Sequence, residues 1–292
     1  MHSSRRVSLY HGDQLLRRFI LVYCNTYFFL FYIGGDFILY MIVFDVGNTD
    51  TVVGFFEGEN LKHKFRIRSL KSENSVFFEY RILNFMLEHN IEKNSIKKAV
   101  ISSVVPLLTP FFTNFCEKFL KLRALVVAPS KSHVLKINID MPEELGSDLF
   151  LNALSAYTEN NTDCLVVDFG TALTFTLVDG QGVIQGVSIV PGLNTALKSL
   201  FSATSLLPEV RVEKPRSVVG KNTLHSIQSG IYFGYESLVR GMVQKIRAEF
   251  GKEIKVLATG GLSGTITELQ DVFVDIQPDL TLKGMYYYGQ TH

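Results

Sequence analysis

The chain has 292 residues, 47% of them hydrophobic and 20% charged, as in an ordinary folded globular protein. Its 29 basic and 28 acidic residues leave a net charge of +1, and no Lys/Arg-rich run interleaves with aromatics, so no nucleic-acid partner is expected. Three widely separated cysteines (Cys24, Cys116, Cys164) with no C-x-x-C pair argue against a zinc site or a disulfide framework, and for a reducing, cytoplasmic compartment.

Residues 1–40 differ from the rest of the chain: ten of them are Phe or Tyr, and their basic residues are arginines only. The apolar run Phe19–Ile33 is interrupted by Asn25 and Thr26 and is shorter than the roughly 20 residues that span a bilayer. Tyr32-Ile33-Gly34-Gly35-Asp36 is a poor signal-peptide cleavage site. Residues 1–40 are therefore read as an extension outside the native fold, preceding a start at Met41. A membrane-associating segment and an ordered extra element stand as alternatives. No membrane is expected for residues 41–292.

From Met41 the chain alternates short β-rich runs with amphipathic stretches, the pattern of an α/β protein. Ile42–Val46 and Thr51–Glu57 read as strands joined by a tight turn. Leu61–Arg68 alternates apolar and basic residues as a half-buried strand. Ser72-Glu73 marks a helix start, followed by helical spacing through Phe77, Ile82, Phe85, Met86 and His89. Ala99–Val105 is a strand, 107–122 a helix with Pro110 in its first turn, and Ala124–Ala128 a short strand. Asp148–Glu159 reads as a helix. Strands at Cys164–Asp168, Leu173–Val178 and Val183–Val190 come next, then helices at Leu193–Phe201 and Thr223–Phe250, and a strand at Ile254–Ala258.

An internal repeat organises this order. Ile42-Val43-Phe44-Asp45-Val46-Gly47-Asn48-Thr49 resembles Leu165-Val166-Val167-Asp168-Phe169-Gly170-Thr171-Ala172, 123 residues later. Each copy runs into a second strand and then an acid-glycine turn, Glu57-Gly58 or Asp179-Gly180. The offset is about the size of one α/β domain, so two related domains (residues 41–160 and 161–292) facing one another place both loops at a shared cleft.

A carboxylate closing a buried strand is costly unless it is paired or binds a cation. A glycine two residues on lets backbone N–H groups approach phosphate oxygens. Thr49, Thr171 and Asn48 add donors, and each Asp is able to hold a cation directly or through water. A single Asp-x-Gly turn is more often a backbone device. Two copies on equivalent strands favour a paired phosphate clamp. No Walker G-x-x-x-x-G-K-[ST] and no G-x-G-x-x-G occurs.

Taken together, these segments resemble a type III pantothenate kinase of the acetate/sugar kinase–Hsp70–actin superfamily. The resemblance is carried by Asp45–Thr49, Ile101–Pro106, Pro142–Asp148, Asp168–Ala172, Ile189–Gly192, Leu207-Pro208, Gly220–Thr223 and Thr259–Gly261, in the family's order. It implies duplicated actin-like (ribonuclease H-like) domains with a nucleotide cleft between them. It implies ATP-dependent phosphorylation of pantothenate to 4′-phosphopantothenate, the first step of coenzyme A biosynthesis, by a cytoplasmic homodimer. By the same resemblance Asp148 is the general base. Asp45, Val46, Gly47, Asn48, Thr49, Asp50, Thr51, Val52, Thr171, Gly260 and Gly261 contact ATP. Gly146, Ser147, Asp148, Leu149 and Thr223 meet pantothenate. Asp45 holds Mg²⁺ through water, and Asp168 holds a monovalent cation, K⁺ or NH₄⁺. The plainer reading of Asp148, compatible with this one, is an N-cap of the helix it opens.

Three positions depart from the family pattern. Leu149 stands where the family has Arg, Ile139 where Tyr is common, and Val187 where a second glycine falls. The phosphate loops are untouched, but the substrate end loses a cationic fork. Two alternatives arise from that loss: a non-catalytic regulatory protein on the same fold, or a kinase for another small hydroxyl substrate. His63, His89, His133 and His225, with Lys131, Arg216 and Lys221, are read as structural or solvated residues.

Overall fold

The computed structural model describes residues 39–70, 75–203, 208 and 210–292, together with two strands near the N-terminus. Those two, β1 (Arg18–Cys24) and β2 (Tyr27–Ile33), form an antiparallel hairpin in which Arg18 pairs with Ile33 and Cys24 with Tyr27. The hairpin belongs to a unit of its own, Met1–Leu39. The expected helix start at Ser72-Glu73 and the leucine of Leu207-Pro208 fall outside the described residues, as does most of the remainder of 1–40.

In the unit from Tyr40 to His292, strands β3 (Tyr40–Val46), β4 (Asp50–Glu57) and β5 (Asn60–Arg68) form an antiparallel meander. Helix α1 (Ser75–Glu88) returns the chain to β6 (Ile96–Ser103), which runs parallel to β3 with Asp45 opposite Ser102. Helix α2 (Thr109–Phe115) leads to β7 (Leu125–Val126), completing a five-stranded sheet ordered β5-β4-β3-β6-β7. Pro110 sits in the first turn of α2, where a missing N–H costs nothing. The helical stretch widens into a π-helical turn over Cys116–Leu120 and stops at Lys121, whose φ is +58°.

After the short strand β8 (Lys136–Ile137) and helix α3 (Ser147–Asn160), the same plan recurs. Strands β9 (Cys164–Phe169), β10 (Ala172–Val178) and β11 (Val183–Pro191) form a second antiparallel meander. Helices α4 (Leu193–Ser202) and α5 (Thr223–Phe250) precede β12 (Lys255–Thr259), parallel to β9 with Asp168 opposite Thr259. Strand β13 (Asp275–Ile276) comes next, then a final helix α6 (Leu280–Thr291). The second sheet is ordered β13-β12-β9-β10-β11-β8. Without β8 its connectivity is that of the first sheet, so the sequence repeat is a repeat of topology. The fold is a mixed α/β duplication of the actin-like kind.

Strand periodicity sorts the cores into layers. On β3, Ile42, Phe44 and Val46 join Phe78, Ile82, Phe112 and Phe115 on the outer face, while Met41 and Val43 point the other way. On β9, Leu165, Val167 and Phe169 pack outward against Tyr235, Val239 and Val243 of α5, while Cys164 and Val166 share the core with Met41 and Val43. That shared core is built around α3 and α6. Helix α3 buries Leu149, Phe150, Leu151, Ala153, Leu154 and Ala156 together with Ser147, Asn152 and Ser155, and so is enclosed by other elements on nearly every side along that stretch.

Helix α6 has no clear periodic signal, because Gly284, Gly289 and three consecutive tyrosines are poor helix formers. Tertiary packing overrides that propensity. A Cβ on Gly284 would lie 2.1 Å from the carbonyl oxygen of Leu151, so glycine permits an approach of α6 to α3 that no other residue allows. Among the described residues, no helix is long and apolar enough to cross a membrane.

Candidate active site

The two Asp-x-Gly carboxylates face one space for a reason visible in strand parity. Asp45 continues the Met41–Val43 face of β3, and Asp168 continues the Cys164–Val166 face of β9, both turned towards the core around α3. Their β6 and β12 partners, Ser102 and Thr259, are both buried, so each carboxylate has a hydroxyl residue beside it in the sheet.

The loops beyond them meet. Thr49 Oγ1 and Thr171 Oγ1 are 3.0 Å apart. The Gly47 amide donates to the Asp50 carbonyl at 3.0 Å, whereas the Gly170 amide donates to the Ala172 carbonyl at 3.0 Å. The first loop is therefore one residue longer and presents Asn48 as well as Thr49. The second is braced from behind: the Gly192 amide and the Thr195 hydroxyl both donate to the Thr171 carbonyl, at 3.0 and 2.6 Å. A Cβ on Gly192 would come within 2.3 Å of the Gly170 carbonyl oxygen, which explains why a glycine begins α4 there.

The third carboxylate comes from the start of α3. Gly146 is the N-cap, so Asp148 is the second helical residue rather than the cap itself. Its Oδ1 accepts the Leu149 amide at 2.9 Å, and a Cβ on Gly146 would sit 2.5 Å from that oxygen. Ser147 is buried, and its hydroxyl is 2.8 Å from that of Ser102, tying the helix start to the first sheet. Leu149 points into the core with Phe150 and Leu151, and Ile139 and Val187 pack against the same core. The three departures from the family pattern thus all contribute apolar surface to one layer.

The site is short of positive charge. Burial, then the Asp148 and Asp168 carboxylates, push Asp45 up to about 7, with Arg66 the one opposing cation. Burial and Asp148 likewise push Asp168 up to about 6, against a hydrogen bond from Asn152. Burial raises Asp148, while backbone N–H groups at the helix start oppose the shift. Arg66 itself is engaged by Asp50 at 3.1 Å. Three carboxylates in a desolvated space are an arrangement that cations relieve. Thr174, directly across β10 from Asp168, has a buried hydroxyl with no partner among the described residues. An oxygen-rich position beside Asp168 suits a hard cation. Among the described residues no three His, Cys, Asp or Glu side chains converge on one point. A magnesium ion at Asp45 would therefore complete its shell with phosphate oxygens and water, as that ion usually does.

The other expected site residues are distributed unevenly. Val46 and Thr51 are fully buried, and the Thr51 hydroxyl is taken up by Ser69 at 2.9 Å, so these two present backbone alone. Val52 is opposite Asp45 on β4 and packs against the central core. Gly260, with φ +90°, lies against Asp168: a Cβ there would be 2.5 Å from Asp168 Oδ1. Gly261 is exposed. Thr223 opens α5 and lines a cavity of about 470 Å³ with Leu200, Ser226, Ile227, Gly230 and Ile231, a lining that includes none of the three carboxylates. His133, His225, Lys131, Arg216 and Lys221 are exposed. Ser102 and Gly192 lie in segments that carried the resemblance but were given no role, and Asn152 and Thr174 were not singled out by sequence. Asn152 carried a readable signal, being a polar residue four positions after Asp148 and flanked by Leu149–Leu151 and Ala153-Leu154.

Residues 41–245 match the sequence profile of the family described as type III pantothenate kinase. A type III pantothenate kinase from Desulfosudis oleivorans is 38% identical over 252 residues, covering 86% of this chain and 99% of that one. One from Myxococcus xanthus is 35% identical over 253 residues, with the same coverage of 86% and 99%. Among solved structures, a chain from Campylobacter jejuni assigned to the Baf family of transcriptional activators superposes with a TM-score of 0.54 at 19% identity, covering 86% and 98%. An activator of 2-hydroxyisocaproyl-CoA dehydratase from Clostridium difficile, with bound ADPNP, gives 0.52 at 11% identity, covering 86% and 94%. At these identities the structural likeness speaks for the fold.

Proposed function

The chain belongs to the type III pantothenate kinase family, and from that premise we propose that its cleft transfers the terminal phosphoryl group of ATP to the hydroxyl of pantothenate. The product is 4′-phosphopantothenate, the first step of coenzyme A biosynthesis. The observation that carries the reading is the mutual repulsion of the buried Asp45, Asp148 and Asp168 carboxylates beside two loops joined through Thr49 and Thr171.

Phosphoryl transfer depends on charge neutralisation and in-line positioning more than on covalent help from the protein. Gly47, Asn48, Thr49 and Thr171 are placed to donate to phosphate oxygens, with Asp50, Thr51 and Val52 supporting the loop. Gly260 and Gly261 offer a side-chain-free wall for the adenosine. Asp45 would hold magnesium through water, and the ion would supply charge neutralisation of the phosphates. The charge shortage and the unpartnered Thr174 hydroxyl support K⁺ or NH₄⁺ at Asp168.

Asp148 accepts the proton of the substrate hydroxyl. Its carboxylate is oriented by the Leu149 amide, and burial raises its proton affinity towards that of a useful base. Gly146 and Ser147 form the floor on which pantothenate rests, with Thr223 contributing from α5. Leu149, turned into the core, supports that floor from beneath and supplies no cationic fork to the substrate.

The two halves, residues 41–160 and 161–292, are proposed as the duplicated domains, with residues 1–40 an extension outside them. The family match beginning at Met41 supports the end of the extension, and the recurring strand order of the two sheets supports the two halves. A cytoplasmic homodimer is proposed too, supported by the exposed Val218, Val219 and Leu224 around the start of α5. The direct test is ADP release by purified protein given ATP, Mg²⁺, K⁺ and pantothenate. Release dependent on pantothenate is expected; nucleotide binding without any release would favour a regulatory protein instead.

A further inference from the structure

Asn152 is 1% exposed, and both ends of its amide are engaged. Its Nδ2 donates to Asp168 Oδ2 at 2.8 Å, and its Oδ1 accepts the hydroxyl of Thr281 on α6 at 2.8 Å. An ionised carboxylate only accepts, so Asp168 takes the Nδ2 end of the amide, and the Thr281 hydroxyl donates to the Oδ1 end that this leaves. The other carboxylate oxygen, Oδ1, is on the side of Gly260, where a Cβ would stand 2.5 Å from it. One oxygen is thus tied back into the protein and the other is left facing the nucleotide loop.

Two further placements make this a built arrangement. Asn152 is one helical turn from Asp148 on α3, so the proposed base and the support of Asp168 share one rigid element. Thr281 is one turn from Gly284, whose close approach to Leu151 sets the spacing between α6 and α3. The separation that Thr281 must bridge is therefore fixed by backbone contact next to Asn152.

We propose that Asn152 and Thr281 are positioning residues, a relay from the C-terminal helix that holds Asp168 with one oxygen presented to the cation and nucleotide. The proposal rests on the kinase reading, in which Asp168 holds a monovalent cation. Asn152 fixes the orientation of the carboxylate, and Thr281 fixes the orientation of Asn152. Neither touches substrate, so each acts on binding constants through Asp168.

The test uses the full chain, with Asn152→Leu, Thr281→Val and Thr281→Ser. Nucleotide affinity is titrated calorimetrically with ATP and Mg²⁺ in the absence of pantothenate, across a series of K⁺ concentrations. Folding is checked by circular dichroism, and KM and kcat are measured separately. The expected result is a rise of about 10-fold or more in the K⁺ concentration giving half-maximal nucleotide affinity for Asn152→Leu and Thr281→Val. Thr281→Ser keeps the hydroxyl and stays near wild type, and the KM for pantothenate changes little in all three. Unchanged K⁺ dependence in folded Thr281→Val and Asn152→Leu overturns the relay, as does an equal loss in Thr281→Ser. Wild-type nucleotide affinity that ignores K⁺ overturns it together with the cation reading. If the wild type phosphorylates no pantothenate but the K⁺ dependence shifts as described, the relay stands and the substrate reading fails.

Discussion

The hydroxyls of Thr49 and Thr171, 122 residues apart in the chain, lie 3.0 Å from one another and close the gap between the two repeated loops. Each comes from the loop following a buried aspartate, and each loop is pinned by a glycine amide bonded within its own turn. A triphosphate entering between the loops exchanges one hydroxyl–hydroxyl bond for two hydroxyl–phosphate bonds, and bonds to charged acceptors are the stronger kind. In the proposed ATP-binding role, these two hydroxyls are held in place before nucleotide arrives.

Replacing either threonine by valine keeps shape and removes a donor. Thr49→Val and Thr171→Val are each expected to raise the KM for ATP by roughly 5- to 10-fold, the value of one hydrogen bond to a charged group. The KM for pantothenate is expected to hold. In a double-mutant cycle the two effects are coupled, because each hydroxyl touches the other as well as the ligand. Strictly additive effects from steady-state kinetics would show that the contact has no part in binding.

Asp148→Asn preserves size and keeps an acceptor oxygen near the Leu149 amide while removing the base. Turnover is expected to fall by about 100-fold or more, with the KM for ATP little changed. A near-normal kcat would remove Asp148 from proton transfer.

The raised carboxylates predict an unusual pH dependence of stability for the ligand-free protein. A carboxyl group whose folded pKa exceeds its unfolded value binds more protons in the native state, so stability falls as pH rises between the two values. For Asp45, driven to about 7, and Asp168, driven to about 6, that window runs from about pH 4 to 7. Asp45→Asn removes its share of this penalty. Thermal unfolding at pH 8 is expected to show the variant melting roughly 5 °C above wild type, with the difference vanishing near pH 4. ATP and Mg²⁺ abolish the wild-type disadvantage by mass action. An Asp45→Asn protein less stable than wild type at pH 8 would refute the assignment.

Leu149 is a core residue beside the proposed base. Leu149→Arg is expected to lower the melting temperature by about 5 °C or more, since a guanidinium has no partner in that core. It is not expected to lower the KM for pantothenate. A lower KM in a stable Leu149→Arg protein would show that the side chain at 149 reaches the cleft.

Much of the fold was readable from residues. Alternation on β5, apolar runs on β3 and β9, and the doubled Asp-x-Gly turn carry the sheets and the repeat, because period-2 burial and turn chemistry are local properties. Strand parity then sends both carboxylates to one face. What was not readable depends on partners distant in the chain. Helix α6 forms because Gly284 fits against Leu151, not because its residues favour helix. Asn152 acquires its role from Asp168 and Thr281, which the fold brings to it from 16 and 129 residues away. The Asp179-Gly180 turn shows the converse. It copies Glu57-Gly58 in sequence, yet Asp179 serves its own hairpin: its carboxylate accepts the amides of Gln181 and Val183 and the side chain of Gln185, and Gly182 takes the positive φ.

The central claim is tested most directly by mass spectrometry of pantothenate incubated with ATP, Mg²⁺, K⁺ and purified protein, wild type beside Asp148→Asn. Conversion to the 4′-phosphate ester by wild type, and its near-complete loss in the variant, is the predicted result. No phosphate ester from a wild-type protein that binds ATP would contradict it.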